Sequence, residues 1–138
     1  MKIDKVRYVE NPSSINDVIV ENDALKVIQL LNNGNKVARF EFGDSMMPIL
    51  QSGEYCILTP FNSDKQEANI GDIVFCIVNG YVMTHMVLLK SRNSKNEKPY
   101  YLIGGTNGQL YGWTNEIYAI AEGTRILEKN NLIFQDIE

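Results

Sequence analysis

The chain has 138 residues, 44% of them hydrophobic, enough to bury one substantial core and consistent with a single domain. Its formal net charge of −4 argues against general nucleic-acid binding, which would need a local basic patch. The longest strongly apolar run, Ile73 to Val78, falls far short of a membrane span, and Met1-Lys2-Ile3-Asp4-Lys5 lacks the apolar core of a signal peptide, so a cytoplasmic setting is expected.

Lys2 to Val9 alternates weakly, as an edge strand or a docking arm would, and Asn11-Pro12 breaks it. Ser14-Ile15-Asn16-Asp17 has the form of a capping box. Helical spacing follows through Ile15, Val18 and Ile19, falters at Glu21-Asn22-Asp23, and resumes with Ala24, Val27, Ile28 and Leu31 before Asn33-Gly34. The pattern predicts one broken helix or two short ones packed on a sheet. A helix-turn-helix reader would need a third helix and a basic recognition face, and neither is visible.

From Val37 the pattern is β. Strands are expected at Val37–Phe42 and Tyr55–Leu58, the second ended by Thr59-Pro60, with a polar connection over Phe61–Asn69. Ile73–Val78 is continuously apolar, as a strand buried on both faces would be. Asn79-Gly80 then joins it to Tyr81–Leu89; both residues tolerate positive φ, which favours a type I′ hairpin. Lys90–Lys98 is polar and mostly basic, a solvated loop. Further strands are expected at Tyr100–Ile103, Ile117–Ala121, Thr124–Leu127 and Leu132–Ile137. The expected organisation is an arm and helical segment over 1–36, packed on a mostly β domain over 37–138.

Cys56 and Cys76 form no Cys-x-x-Cys pair and have no histidine at metal-ligand spacing, so both are expected to pack as small hydrophobes, with no metal or other cofactor. The stretch Gly43-Asp44-Ser45-Met46-Met47-Pro48-Ile49-Leu50 carries a serine after a glycine-led turn and before a segment where Pro48 can open a short helix. Residue types alone fit a helix cap or a nucleophile on a turn, with free backbone N–H groups able to hold an oxyanion. The chain has one histidine, His85, which by itself fits a surface or core residue as well as a base.

Four boxes in order carry a resemblance: Gly43-Asp44-Ser45-Met46-Met47-Pro48, Gly71-Asp72-Ile73-Val74, Gly80-Tyr81-Val82-Met83-Thr84-His85, and Tyr101-Leu102-Ile103-Gly104-Gly105-Thr106-Asn107. Together they resemble the superfamily that joins LexA-type repressor peptidases with signal peptidases, over roughly two thirds of the chain. The resemblance implies a mostly β (α+β) fold of twisted sheets forming a partial barrel, with an N-terminal helical segment. It implies Ser45 as nucleophile and His85 as general base, five residues past Gly80, where repressor-type members carry lysine and other branches histidine. The backbone of Asp44 and Ser45 would form the oxyanion hole. The family's late box usually reads Gly-Asp-Asn; here Thr106 replaces the aspartate, so Thr106 or Asn107 is the candidate to orient His85.

The implied activity is that of a soluble serine endopeptidase using a Ser-His dyad on a protein or peptide substrate. The alternative is a catalytically inactive peptidase-fold protein serving assembly or interaction, in a phage or other mobile element, and so in host cytoplasm or virion. No Ala-Gly or Cys-Gly pair occurs, so LexA-like self-cleavage is disfavoured. Relatives often dimerise, which makes a homodimer a candidate partner state; membrane and nucleic-acid partners are not expected.

Overall fold

The computed structural model describes residues 18–41, 54–125 and 133–134. The described elements are β1 (Val18–Val20), α1 (Ala24–Asn32), β2 (Lys36–Glu41), β3 (Glu54–Pro60), β4 (Ile73–Val78), β5 (Tyr81–Ser91), β6 (Tyr100–Gly104), β7 (Leu110–Thr114), β8 (Glu116–Arg125) and β9 (Ile133–Phe134). Among the described residues the protein is mostly β with one short helix. The strands form a mixed sheet in the order β7-β6-β5-β4-β8-β3-β2-β1-β9. β1 pairs in parallel with β2 and β9, and the other pairings are antiparallel.

The expected N-terminal helical segment needs correction. Val18-Ile19-Val20 is a strand, in register with Lys36, Val37 and Ala38. Three consecutive β-branched residues lose side-chain freedom in a helix and suit a pleated surface, and the neighbouring strand decides between the two. The capping box at Ser14–Asp17, with Ile15, lies outside the described residues, as do the arm at Lys2–Val9 and Asn11-Pro12. Helix begins only at Ala24, where the Asp23 carboxylate accepts the Lys26 N–H at 3.1 Å. Glu21-Asn22-Asp23 is thus a junction between strand and helix. The buried Glu21 carboxylate accepts the N–H groups of Asn22 and Asp23, and Asn22 Oδ1 accepts that of Phe40. At the other end Gly34 (φ 90°) donates to the Leu31 carbonyl, and Asn35 to that of Leu30.

Alternation along β4 divides the core. Ile73 and Phe75 face α1, where Val27 and Leu31 pack with Val37, Cys56 and Leu58. Val74, Cys76 and Val78 face the opposite side, with Val87, Tyr101 and Ile103. Both cysteines are buried and reduced, and burial pushes the Cys76 thiol up to about 12. They pack as small hydrophobes, as expected from the sequence.

The Asn79-Gly80 hairpin is as predicted: φ is 51° and 86° at the two residues, and Val78 pairs with Tyr81. Elsewhere boundaries move. β3 runs through Thr59 and Pro60, which pair with Ile120 and Ala119. The two strands expected at Ile117–Ala121 and Thr124–Leu127 are one strand, β8, in which Glu122 has no partner between Ala121 and Gly123. β7, unpredicted, occupies one end of the sheet. It turns back on β4, three places away: Thr114 Oγ1 donates to the Ile77 carbonyl at 2.6 Å, and Asn79 Nδ2 to that of Tyr111 at 3.4 Å.

Gly104 marks the tightest approach in this part of the sheet. A Cβ there would meet Leu88 Cδ1 at 2.4 Å and the Gln109 carbonyl oxygen at 2.6 Å. Leu88 is the bulged residue of β5, unmatched between Val87 and Leu89. Leu88 can shift, but the backbone oxygen cannot without opening the β6–β7 turn. Gly104→Ala is therefore expected to cost roughly 1–3 kcal/mol in urea unfolding. A loss below about 0.5 kcal/mol would show that the turn yields freely.

Candidate functional site

His85 is delivered by the β4–β5 hairpin, opposite Val74. Strand alternation puts it on the face of Met83 and Val87, over the second apolar cluster. Its ring lies 4.4 Å from that of Tyr111, centroid to centroid, inclined at 40°. The side chain is half-buried, and Nδ1 is a fully buried atom. Burial disfavours the imidazolium and holds the His85 pKa below its ordinary 6.5. No carboxylate among the described residues contributes to that shift. A neutral imidazole in this position can accept a proton, which is the first requirement of a general base.

The Tyr111 contact is the part of the site that sequence reading missed. A signal for it was present, since Asn107-Gly108 separates two β-rich runs just as Asn79-Gly80 does. Gly112 (φ 138°) lets β7 approach β4 closely; a Cβ there would lie 3.0 Å from Asn79 Nδ2 and 3.1 Å from Val78 Cγ1. That approach brings the Tyr111 ring onto His85.

Thr106 and Asn107 sit exposed in the β6–β7 turn, directly after Gly104, the partner of Met86. Asn107 Oδ1 accepts the Gln109 N–H at 3.1 Å, so this oxygen closes its own turn. Asp44 and Ser45 lie outside the described residues, together with the rest of Gly43–Leu50. The connection that carries them leaves β2 after Glu41 and enters β3 at Glu54, residues that pair with each other.

The basic loop expected over Lys90–Lys98 begins two residues later, because Lys90 and Ser91 belong to β5. Its cations meet acids of the polar connection before β4. Lys90 and Arg92 bind Glu67 at 2.7 and 2.6 Å, and Lys98 binds Asp64 at 2.5 Å. These hydrogen bonds, from Lys90 and Arg92 to Glu67 and from Lys98 to Asp64, hold both carboxyls below their ordinary range. Such exposed pairs tether one loop to the other more than they stabilise the fold. A cleft of about 370 Å³ lies between them. Another, of about 470 Å³, opens where the end of α1 faces Phe61 and Tyr118. His85 lines neither. Among the described residues no His, Cys, Asp and Glu groups cluster as metal ligands, and no helix is long and apolar enough to cross a membrane.

No protein-family model matches the chain, and a search of curated proteins finds no relative.

Proposed function

We propose that the chain is a peptidase of the LexA/signal-peptidase kind, with Ser45 as nucleophile and His85 as base, acting on a protein or peptide substrate. The observation that carries the reading is His85, half-buried, held neutral, and five residues beyond the hairpin glycine. Neutral His85 takes the hydroxyl proton as Ser45 attacks the peptide carbonyl. The backbone N–H groups of Ser45 and Asp44 stabilise the oxyanion. The imidazolium then returns the proton to the departing amine, and water releases the acyl group from Ser45.

The sheet sets a condition on this dyad. His85, Val74, Ile120 and Thr59 form one row across four strands. In a flat sheet, the Glu41–Glu54 pair would lie about 25 Å from His85, four strand spacings across and five residues along. Four residues extend at most about 14 Å, so Ser45 reaches His85 only if the sheet curls. The return of β7 onto β4 supports a curled sheet of the partial-barrel kind.

A second reading is a non-catalytic peptidase-fold protein serving assembly, in a phage or mobile element. It is favoured by the engagement of Asn107 Oδ1, a candidate to orient His85, in its own turn. Intact mass after treatment with a fluorophosphonate probe separates the two. One adduct on the wild-type chain, lost in Ser45→Ala and in His85→Ala, is expected for the peptidase. An unlabelled wild-type chain, or labelling that survives Ser45→Ala, moves the conclusion to the assembly reading.

A further inference from the structure

The residue that covers His85 has no strand partner. β6 and β7 pair Ile103 with Gly112 and Gly104 with Leu110, so Tyr111, between them, is a bulged residue that no β6 residue matches. A bulge re-aims the side chain it carries, and here the Tyr111 ring turns onto the imidazole, 4.4 Å away between centroids. Asn79 Nδ2 donates to the carbonyl of this same residue at 3.4 Å. A Cβ on Gly112 would stand 3.0 Å from that Nδ2, so β7 passes directly against the amide. Asn79 also forms the β4–β5 turn, with a φ of 51°. The turn itself needs no amide, because Asp-Gly and Gly-Gly make the same type. What asparagine adds is the donor.

From this geometry we propose that Asn79 is a positioning residue for His85: its amide holds the bulged Tyr111 carbonyl and so keeps the Tyr111 ring over the imidazole. One hairpin thus delivers the imidazole from its strand and latches the cover from its turn. The bond is long for an amide and a carbonyl, a tether whose loss loosens the bulge without unfolding β7. Thr114 Oγ1 still holds the Ile77 carbonyl at 2.6 Å. With the donor gone, the Tyr111 carbonyl turns to water, and the ring is no longer pressed onto His85. The titratable side chains on β4, β6 and β7 are Cys76, Tyr100, Tyr101 and Tyr111, and β5 adds Tyr81 and Lys90. None is a carboxylate, so the Tyr111 cover is the feature of these strands that bears on the His85 proton. A role for Asn79 in catalysis rests on the Ser45–His85 peptidase reading; its hold on the His85 environment does not.

The test is proton NMR of the full chain, following the His85 ring against pH in wild type, Asn79→Gly, Tyr111→Ala and the double variant. Circular dichroism melting checks that each stays folded, as the retained turn type predicts. Asn79→Gly should weaken cross-relaxation between the Tyr111 and His85 rings and move the His85 titration up toward 6.5. Asn79→Asp, which keeps the turn and the side-chain shape but not the donor, should weaken the ring contact as well. Added to Tyr111→Ala, Asn79→Gly should move the titration no further, because both act through one ring. A titration and a ring contact that are unchanged in Asn79→Gly overturn the proposal. So does an equal shift with Tyr111 already removed, which would place the effect on another path. Fluorophosphonate labelling keeps the two readings apart. A titration that moves in a chain that never labels retains the latch and rejects the peptidase, whereas labelling with an unmoved titration rejects the latch alone.

Discussion

Phe75→Ala is expected to lower stability by about 3–5 kcal/mol, the largest loss from any single truncation in this core. Phe75 is fully buried and, among the described residues, the largest of the wholly buried side chains. It sits mid-strand in β4, with β5 on one side and β8 on the other, and helps join α1 to the sheet. The Arg39 guanidinium lies 5.3 Å from the ring centroid, so truncation also removes a cation–π contact. Against a total of about 5–15 kcal/mol for a domain, such a loss leaves a marginal protein. Urea unfolding at constant pH should show a lower midpoint with an unchanged slope. Phe75→Leu, which keeps most of the volume, should cost less than half as much. A Phe75→Ala loss below about 1.5 kcal/mol would mean that the core on the helix side collapses into the space.

The second expected result concerns charge on His85. Because it is the only histidine, its ring proton resonance follows one titration without assignment work. The folded-state pKa should lie below 6.5, through burial. Fluorophosphonate labelling of Ser45 should then hold level from pH 8 down past 6.5. It should fall only as the folded pKa is crossed, about tenfold for each further pH unit. Stability follows the same group in a defined direction. The unfolded chain takes up the proton near pH 6.5 and the folded chain only at lower pH. His85 therefore contributes stability above 6.5 that is lost as pH falls from 6.5 through the folded pKa, and nothing further below it. Tyr111→Ala uncovers the ring and should move the titration up toward 6.5, shifting the acid limb of labelling with it. A titration that does not move would remove Tyr111 from the site. His85→Gln should abolish both the labelling and this part of the pH dependence of stability.

The legible parts of the fold were those set by local chemistry. Ile73–Val78 reads as a buried strand because six apolar residues run together, and Asn79-Gly80 reads as a turn because few residue pairs accept positive φ twice. Lys36–Glu41 and the helix from Ala24 were legible through their periods of two and 3.6. What escaped was decided by partners distant in sequence. Val18–Val20 is a strand because β2 and β9 flank it, and nothing within the segment announces them. Leu110–Thr114 is absent from the strands the sequence predicts, and the φ of 138° at Gly112 is what lets β7 reach β4. Of the candidate site, the hairpin that carries His85 was legible in the same sense, the role of that residue came from the family resemblance, and its aromatic neighbour depends on the unread strand. The bulge at Glu122 split one strand into two on paper, because the break in alternation resembles a turn.

The position of β8 has a consequence for synthesis. β4, β5, β6 and β7 follow one another and pair with near neighbours in sequence, so this unit can assemble soon after residue 114 leaves the ribosome. β2 and β3 likewise pair early. Among the described strands only β8 joins the two, bonded to β3 on one side and to β4 on the other, and it ends at Arg125. Until then the nascent chain carries two separate sheets, each with an open edge. Ribosome-stalled chains arrested before β8 emerges should accordingly depend on chaperones, whereas chains that have released it should resist protease.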